Sequence, residues 1–187
     1  VIFCENVKGL ESHDGGRTLD IIVKTLQRMG YTVCYKIINS RNHGVPQNRE
    51  RIYIVAFRND IDSSSFKFPG PKRKKKTIGD IKEKTPVSVK YYLSTQYLDS
   101  LKKHRERHES KGNGFGYEIR KDDDIAAALV CGGMGRERNL IYDHRLTNFE
   151  PVTNIKGEVN REGIRRMTPR EWARIQGFPD TFELPLA

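Results

Sequence analysis

Short apolar runs alternate with polar segments over the first third of the chain, a pattern typical of strands and helices packed in layers. Apolar residues recur every three or four positions from about Gly16 to Met29, which predicts an amphipathic helix that ends at Gly30. Three further runs have the length of strands, and we expect the first and the last to be buried: residues 1–7, 31–38 and 51–57. The pattern therefore predicts a layered α/β sheet over residues 1–66, in the order strand–helix–strand–strand.

The composition changes after residue 66. Residues 67–160 are polar, basic and rich in glycine. They contain one predicted helix, from Thr95 to Ser110, and short predicted strands around residues 117–119, 126–130 and 140–142. We interpret this segment as a smaller, loop-rich second domain.

The clearest local signal lies in the last segment, residues 161–187. Thr168 can cap a helix, Pro169 can occupy its first position, and Glu171 can complete a capping box. Gly177 ends the predicted helix. Spacing alone favours a well-capped helix on the surface, and the alternative is a rigid element that positions other groups.

The chain is strongly basic: 34 Lys and Arg against 24 Asp and Glu give a net charge of +10. Such a field favours a polyanionic partner, most commonly nucleic acid, although a protein that merely happens to be basic fits the composition equally well. The block Lys72–Lys76 could follow a phosphate backbone, serve as a nuclear-import signal or lie in solvent.

Three widely spaced cysteines form no CxxC pair, and their odd number does not favour a disulfide framework. We expect a reducing, cytoplasmic environment. Cys4 and Cys34 lie in apolar strand patterns and are predicted to be buried thiols. Each apolar run is far shorter than a bilayer crossing requires, so we predict no membrane association.

Polar groups stand at the ends of two predicted strands. Glu5 and Asn6 follow the apolar start of the first strand, and Arg49 and Arg51 stand at the beginning of a later one. A carboxylate and two guanidiniums at strand ends can form a pocket for a polar, planar ligand. A desolvated carboxyl group there could hold a proton and donate it to a ring nitrogen. The alternative is that Glu5, Arg49 and Arg51 form ordinary salt bridges with no role in ligand binding.

Two glycine-rich segments, residues 112–116 and 131–139, could approach DNA closely. The candidate DNA-binding residues in or beside them are Lys111, Asn113, Phe115, Arg136 and Arg138. Ordinary connecting loops explain both segments as well.

His104 and His108 have the spacing of metal ligands on a helix. The surrounding positive side chains disfavour a cation, and Arg105 occupies the position at which a zincin carries its glutamate. We therefore predict no metal site.

Three motifs, in the expected order, resemble those of the C-terminal half of the cytosine-5 DNA methyltransferases. ENV at residues 5–7 is similar to the sixth motif of that family, and QNRER at residues 47–51 to the eighth. RMTPREWARIQGFPDTF at residues 166–182 is similar to the ninth. The region between the last two corresponds to the variable target-recognition domain. The resemblance adds Gln47 and Arg165 to the candidate DNA-binding residues.

The resemblance implies a partial Rossmann-like methyltransferase sheet over residues 1–66, a target-recognition domain over 67–160, and a motif-bearing helix in 161–187. It implies that the enzyme flips a cytosine out of double-stranded DNA, attacks C6 with a cysteine thiolate and transfers a methyl group from S-adenosylmethionine to C5.

The resemblance also assigns roles to the candidate residues. The catalytic candidates are Glu5, Asn6, Arg49 and Arg51. Glu5 would contact N3 and the exocyclic amine, Arg51 would contact O2, and Arg49 would help to hold the pocket. Arg165 and the last helix would brace the recognition domain. The setting implied is a bacterial restriction-modification system acting at the nucleoid, on a C- and G-rich palindrome such as CCGG.

Two family features are missing from these 187 residues: the glycine-rich cofactor motif and the Pro-Cys nucleophile, since no cysteine follows a proline. We therefore expect the chain to be inactive alone and an upstream-half polypeptide to be a possible partner. Three origins explain the missing features equally well: an excised piece of a longer enzyme, a subunit encoded by a split gene, and the product of a degraded gene. The alternatives are a non-catalytic DNA-binding module and an inert remnant with an unpaired sheet edge.

Overall fold

The computed structural model describes residues 1–73, 75–114, 116–130, 137–151 and 157–185. The chain divides into two compact units. The first unit consists of Val1–His43 with Arg49–Lys74, and the second of Gly44–Asn48 with Lys75–Ala187. None of the helices in the described ranges is long and apolar enough to cross a membrane.

The first unit is built on a three-stranded antiparallel sheet with the order β1-β4-β2. Its elements are β1 (Ile2–Val7), α1 (Arg17–Arg28), β2 (Tyr31–Asn39) and β4 (Glu50–Arg58). The predicted order strand–helix–strand–strand is confirmed, with the short strand β3 (Gln47–Asn48), which lies in the second unit, between the last two.

Helix α1 covers one face of this sheet. Leu19 of α1 packs with Ile52 and Ile54 of β4 in a buried cluster. Partly buried side chains of α1 and β2 surround that cluster, among them Ile22, Val23, Leu26, Val33 and Ile37. Gly30 follows the helix with φ 85°, a left-handed conformation that glycine adopts without strain, and this confirms the predicted end of α1.

The expectation that β1 is a buried strand is wrong. Phe3 is 67% exposed, Val7 is exposed, and the Cys4 thiol is exposed as well. The reason is the position of β1 at the edge of the sheet, because the core under α1 is formed by side chains of β2 and β4. Cys34 of β2 is half-buried.

Within its described residues, the second unit contains two small sheets and two α-helices. The parallel pair β3–β6 (β6, Ala126–Ala127) forms one sheet. The other has the order β5-β7-β8, formed by Ile119–Arg120, Leu140–Tyr142 and Ile164–Arg165. Helix α2 spans Thr95–Glu109 and helix α3 spans Pro169–Ile175. The predicted strand at residues 140–142 is confirmed, and the other two are shorter than predicted.

Two apolar clusters hold the second unit together. One surrounds α2 and includes Leu93, Leu98, Leu101, Leu140 and Ile164. The other includes Ile78, Ile81, Ala126, Ile141, Met167 and Ile175. Side chains of the neighbouring strand residues Leu140 and Ile141 enter different clusters, because successive residues of a strand point to opposite faces.

The predicted capping box of α3 is confirmed. The Glu171 backbone N–H donates to Thr168 Oγ1 at 3.2 Å, and the Thr168 N–H donates to Glu171 Oε2 at 2.8 Å. The interpretation of α3 as a surface helix is wrong, because Glu171, Ala173 and Ile175 are all buried. The helix is therefore a core element of the second unit.

Candidate functional site

Glu5 and Arg51 meet across neighbouring strands of the first unit. In the β1–β4 register Glu5 lies opposite Tyr53, and Val7 lies opposite Arg51. Glu5 and Arg51 are therefore diagonal neighbours on one face of the sheet, a distance that long side chains can span. Glu5 Oε1 lies 2.9 Å from Arg51 Nε, within hydrogen-bonding distance.

Arg49 approaches the same carboxylate. It lies between β3 and β4, and its guanidinium NH2 is 3.8 Å from Glu5 Oε1. The Arg51 NH1 group also donates to the backbone carbonyl of Glu50 at 2.7 Å, which fixes the orientation of that guanidinium. The structure thus brings together the three charged side chains that the sequence singled out, and their catalytic role stays a prediction.

This charged cluster is open to solvent. The Glu5 side chain is 41% exposed, whereas that of Arg51 is 18% exposed. One carboxylate and two guanidiniums present both acceptors and donors to solvent, with a net positive charge.

Asn6 does not join this cluster. It lies opposite Ile52 in the register, so its side chain starts from the other face of β1. Its Oδ1 accepts a hydrogen bond from the Val7 N–H at 2.8 Å. The structure therefore offers Asn6 a local structural role, and its catalytic role stays a prediction.

Two aromatic residues lie on the same face of the sheet as Glu5, and they were not predicted from the sequence as part of the site. Phe3 and Tyr53 have ring centroids 5.8 Å apart. Phe3 is two residues before Glu5 on β1, and Tyr53 is directly opposite Glu5. The period-two alternation of a strand, counted from Glu5, would have placed Phe3 on this face.

Arg165 lies in a buried ionic network of the second unit. Its NH1 and NH2 groups each lie 2.7 Å from an oxygen of Glu171, and its Nε lies 2.9 Å from Asp143 Oδ2. Arg145 binds the two oxygens of Asp143 through Nε and NH2, both at 2.8 Å. Two carboxylates thus neutralise two guanidiniums.

Both carboxyl groups of this network have lowered pKa values. Burial alone would raise the pKa of Asp143, but the hydrogen bonds from Arg145 and Arg165 outweigh burial and hold it well below its ordinary value. Burial likewise opposes ionisation of Glu171, and the ion pair with Arg165 again lowers its pKa.

Arg165 and Gln47 are both buried in the second unit, and their contact with DNA stays a prediction. The Arg165 side chain is 0% exposed, and its donors are used by carboxylates of its own unit. Gln47 is 2% exposed and belongs to β3, which pairs with β6. In this structure the Arg165 guanidinium joins β8 to α3 through Glu171.

The candidates in the glycine-rich segments have different positions. Lys111 and Asn113 are exposed just after α2, where the Asn113 N–H donates to the His108 carbonyl at 2.9 Å. Arg138 is half-buried, two residues before the start of β7. Phe115 and Arg136 lie outside the described residues. Contact of these residues with DNA stays a prediction.

The histidine pair of α2 is close in space. The rings of His104 and His108 have centroids 4.4 Å apart. Within the described residues there is no group of three or more His, Cys, Asp or Glu side chains arranged to hold a metal ion.

Comparison with known proteins identifies the family. The family model of the C-5 cytosine-specific DNA methylases matches residues 1–187. The chain is 63% identical to the type II methyltransferase M.HpaII of Haemophilus parainfluenzae, an alignment that covers 99% of this chain and 52% of that protein. It is 35% identical to M.NlaX of Neisseria lactamica, over 98% of this chain and 53% of that protein. The chain spans about half the length of these relatives.

Solved methyltransferase structures share the fold. The methyltransferase EhMeth of Entamoeba histolytica superposes with a TM-score of 0.66 at 19% identity, over 97% of this chain and 52% of that one. The Dnmt2 methyltransferase of S. pombe superposes with a TM-score of 0.64 at 20% identity, over 98% of this chain and 56% of that one. The fold is thus a methyltransferase fold with mixed sheets, and the chain belongs to the C-5 cytosine-specific DNA methylase family.

Proposed function

We propose that this chain supplies the cytosine pocket and the target-recognition part of a DNA (cytosine-5) methyltransferase. The observation that carries this proposal is the contact of Glu5 with Arg51 and Arg49 on an open sheet face, in a chain of this family. The first unit would be part of a Rossmann-like catalytic sheet. The second unit would recognise the target in double-stranded DNA.

The donors and acceptors of the cluster match the polar edge of cytosine. The exocyclic amine of cytosine is a donor, whereas N3 and O2 are acceptors. The carboxylate of Glu5 would accept from the amine, and the guanidinium of Arg51 would donate to O2. Since Arg51 approaches Glu5 at Oε1, the second oxygen is the one that would face the base. A protonated Glu5 would also donate to N3.

Arg51 and Arg49 would act most strongly once a thiolate has added to C6, because the addition places negative charge on the ring. Fixed donors aimed at developing charge are among the largest contributors to catalysis. A flipped base that covers the face of Glu5 would also remove water from the ion pair and strengthen it. The half-exposed Glu5 would therefore be accessible to the flipped base before the reaction begins.

The cofactor and the nucleophile of this reaction would come from residues other than these 187. S-adenosylmethionine, which supplies the methyl group in this family, is expected on a glycine-rich motif that follows a strand. The described glycines at residues 112 and 114 follow the end of α2, so they do not fit that geometry. None of the three cysteines follows a proline. We therefore propose that the chain needs a partner segment for activity.

A complementation assay tests this proposal. The chain would be mixed with the part of M.HpaII that it does not match, labelled S-adenosylmethionine and duplex DNA. We expect label in DNA only when both polypeptides are present, and each polypeptide alone is the control. Absence of methyl transfer although both polypeptides are folded and associated would contradict the proposal.

The setting belongs to the same proposal. The chain would act at the nucleoid of the bacterial cytoplasm, within a restriction-modification system, on a C- and G-rich palindrome such as CCGG. The bacterial type II relatives support that setting. Bisulfite mapping of the DNA methylated in the complementation assay would identify the target, and methylated cytosines outside C- and G-rich sites would contradict it.

A second candidate function is a non-catalytic DNA-binding module. The net charge of +10 favours it, as does the basic segment in which Lys72, Arg73, Lys75 and Lys76 are exposed. Titration of duplexes against salt would test it, because each phosphate contact contributes about −0.9 to the slope of log affinity against log salt. A steep slope that is equal for all sequences, together with no complementation, would favour the module.

A further inference from the structure

Arg138 stands between two buried and hydrogen-bonded neighbours in a short 3-10 turn, residues 137–139, that precedes β7. Glu137 and Asn139 are both buried, and Asn139 has no exposed surface. Arg138 is half-buried, and its guanidinium makes no hydrogen bond or ion pair with any residue that the structure describes. The chain therefore fixes the backbone on both sides of a guanidinium that has no partner among the described residues.

Glu137 is held through its side chain and its backbone. Its Oε1 accepts a hydrogen bond from the Tyr97 hydroxyl at 3.1 Å and lies 3.2 Å from NH2 of Arg166. The Arg166 guanidinium also lies over the Tyr97 ring, 5.3 Å from its centroid. The carbonyl of Glu137 accepts from the Glu118 N–H at 2.8 Å. A buried carboxylate held in this way cannot turn without losing bonds to two elements of its unit.

Asn139 is fixed on the other side of Arg138. Its Oδ1 accepts from the Ala127 N–H at 2.8 Å, and its Nδ2 donates to the Ala127 carbonyl at 3.3 Å. The side-chain amide thus acts as a strand partner for β6. The next residue, Leu140, donates its N–H to the Glu118 carbonyl at 3.0 Å.

This arrangement suits an arginine that reads DNA. A guanidinium can bind O6 and N7 of guanine through two parallel hydrogen bonds, which requires a defined approach. Fixing the backbone before binding reduces the conformational entropy that is lost on binding. A contact to phosphate would carry no sequence information directly, whereas a contact to a base edge does.

We propose that Glu137 and Asn139 are positioning residues that direct Arg138 towards a guanine edge in the target duplex. The inference rests on the proposed function in DNA recognition and deepens it. Neither residue touches DNA itself. Glu137 is held by Tyr97 and Arg166, and Asn139 is held by Ala127. Together they set the specificity of Arg138 at one base pair.

The test is selection of duplexes from a randomised pool by the full 187-residue chain, with sequencing of the bound fraction. We expect the wild-type chain to prefer guanine at a particular position, and Arg138→Gln to lose that preference by roughly 5- to 150-fold. Glu137→Gln and Asn139→Ala should weaken the same preference several-fold and leave binding to unselected duplexes at the level of the control. The matched control is Glu162→Gln, which makes the same charge change at an exposed ion pair with Lys102.

The outcomes separate the two proposals. In one outcome, the wild-type chain selects a site while Glu137→Gln and the control Glu162→Gln show equal preference for guanine. In that case the positioning role of Glu137 is wrong, and DNA recognition by the chain stands. If the wild-type chain selects no sequence, the inference about Arg138 falls, whereas the proposed function is decided by the complementation assay. If Glu137→Gln does not fold, Tyr97→Phe replaces it, because that change removes one hydrogen bond to Glu137 and keeps the ring. An unchanged preference in folded Tyr97→Phe and Asn139→Ala would then overturn the inference.

Discussion

Arg165 of β8 and Glu171 of α3 face each other with two parallel contacts of 2.7 Å, and neither side chain has exposed surface. An ion pair of this kind need not stabilise a protein more than apolar residues of equal volume would. Removing one partner is different, because the remaining charge stays buried without compensation. The pair therefore constrains which changes the second unit tolerates.

Replacing Arg165 by methionine should destabilise the second unit strongly. The change leaves Glu171 and part of Asp143 without their guanidinium partner, and we expect a loss of roughly 3–5 kcal/mol in the free energy of unfolding. Urea unfolding followed by circular dichroism measures this loss. The control is Arg107→Met on the exposed surface of α2, for which we expect a change within about 0.5 kcal/mol. Equal stability of the two variants would contradict the importance of the buried pair.

The same network predicts a decrease in stability in acid. The pKa values of Asp143 and Glu171 are lower in the folded chain than their ordinary values, so the folded state binds fewer protons than the unfolded state as the pH falls. Their contribution is fully present above the unfolded values of about 4 and is lost as the pH falls towards the folded ones. Urea unfolding between pH 3 and pH 7 should show this decrease. Asp143→Asn should flatten the slope below pH 4, and a slope identical to that of the wild-type chain would contradict this assignment.

Gly163 is predicted to be intolerant of any side chain. It has φ 69°, and a Cβ atom there would lie 2.6 Å from His144 Nδ1 and 3.0 Å from the Asp143 carbonyl. Gly163→Ala should therefore cost roughly 1–3 kcal/mol from backbone strain alone, and the close contacts add to that cost. The matched control is Gly9→Ala, since a Cβ at Gly9 has no neighbour within 4 Å. Thermal unfolding compares the two, and equal midpoints would contradict the prediction.

The features that the sequence predicted well are local. Thr168 and Glu171 are three residues apart, so a capping box can be recognised without knowledge of the rest of the chain. The end of α1 at Gly30 depends only on the conformation of one glycine. The meeting of Glu5 with Arg51 was also anticipated, because the residues stand at the ends of two apolar runs that are adjacent strands in the sheet.

The features that the sequence did not predict depend on distant partners. Arg165 is buried because Asp143, 22 residues away, provides a carboxylate, and nothing near Arg165 in the sequence indicates this contact. The apolar residues of β1 suggested burial, but burial depends on which strands and helices lie alongside, and β1 is an edge strand in this sheet. The pattern of apolar and polar residues along the chain does not show which distant residues are in contact or which strand lies at the edge of a sheet.

Glu5→Gln separates catalysis from folding and from DNA binding. The glutamine keeps the shape of the side chain but cannot form the ion pair with Arg51, and it cannot provide a proton for N3 of cytosine. In the complementation assay we expect methyl transfer to fall by at least roughly 10²-fold. Because a half-exposed ion pair contributes little, the free energy of unfolding should change by less than about 1 kcal/mol. Affinity of the chain for duplex DNA should persist. Glu11→Gln, an exposed carboxylate of the same unit, is the matched control, and equal methyl transfer by the two variants would show that Glu5 has no part in the reaction.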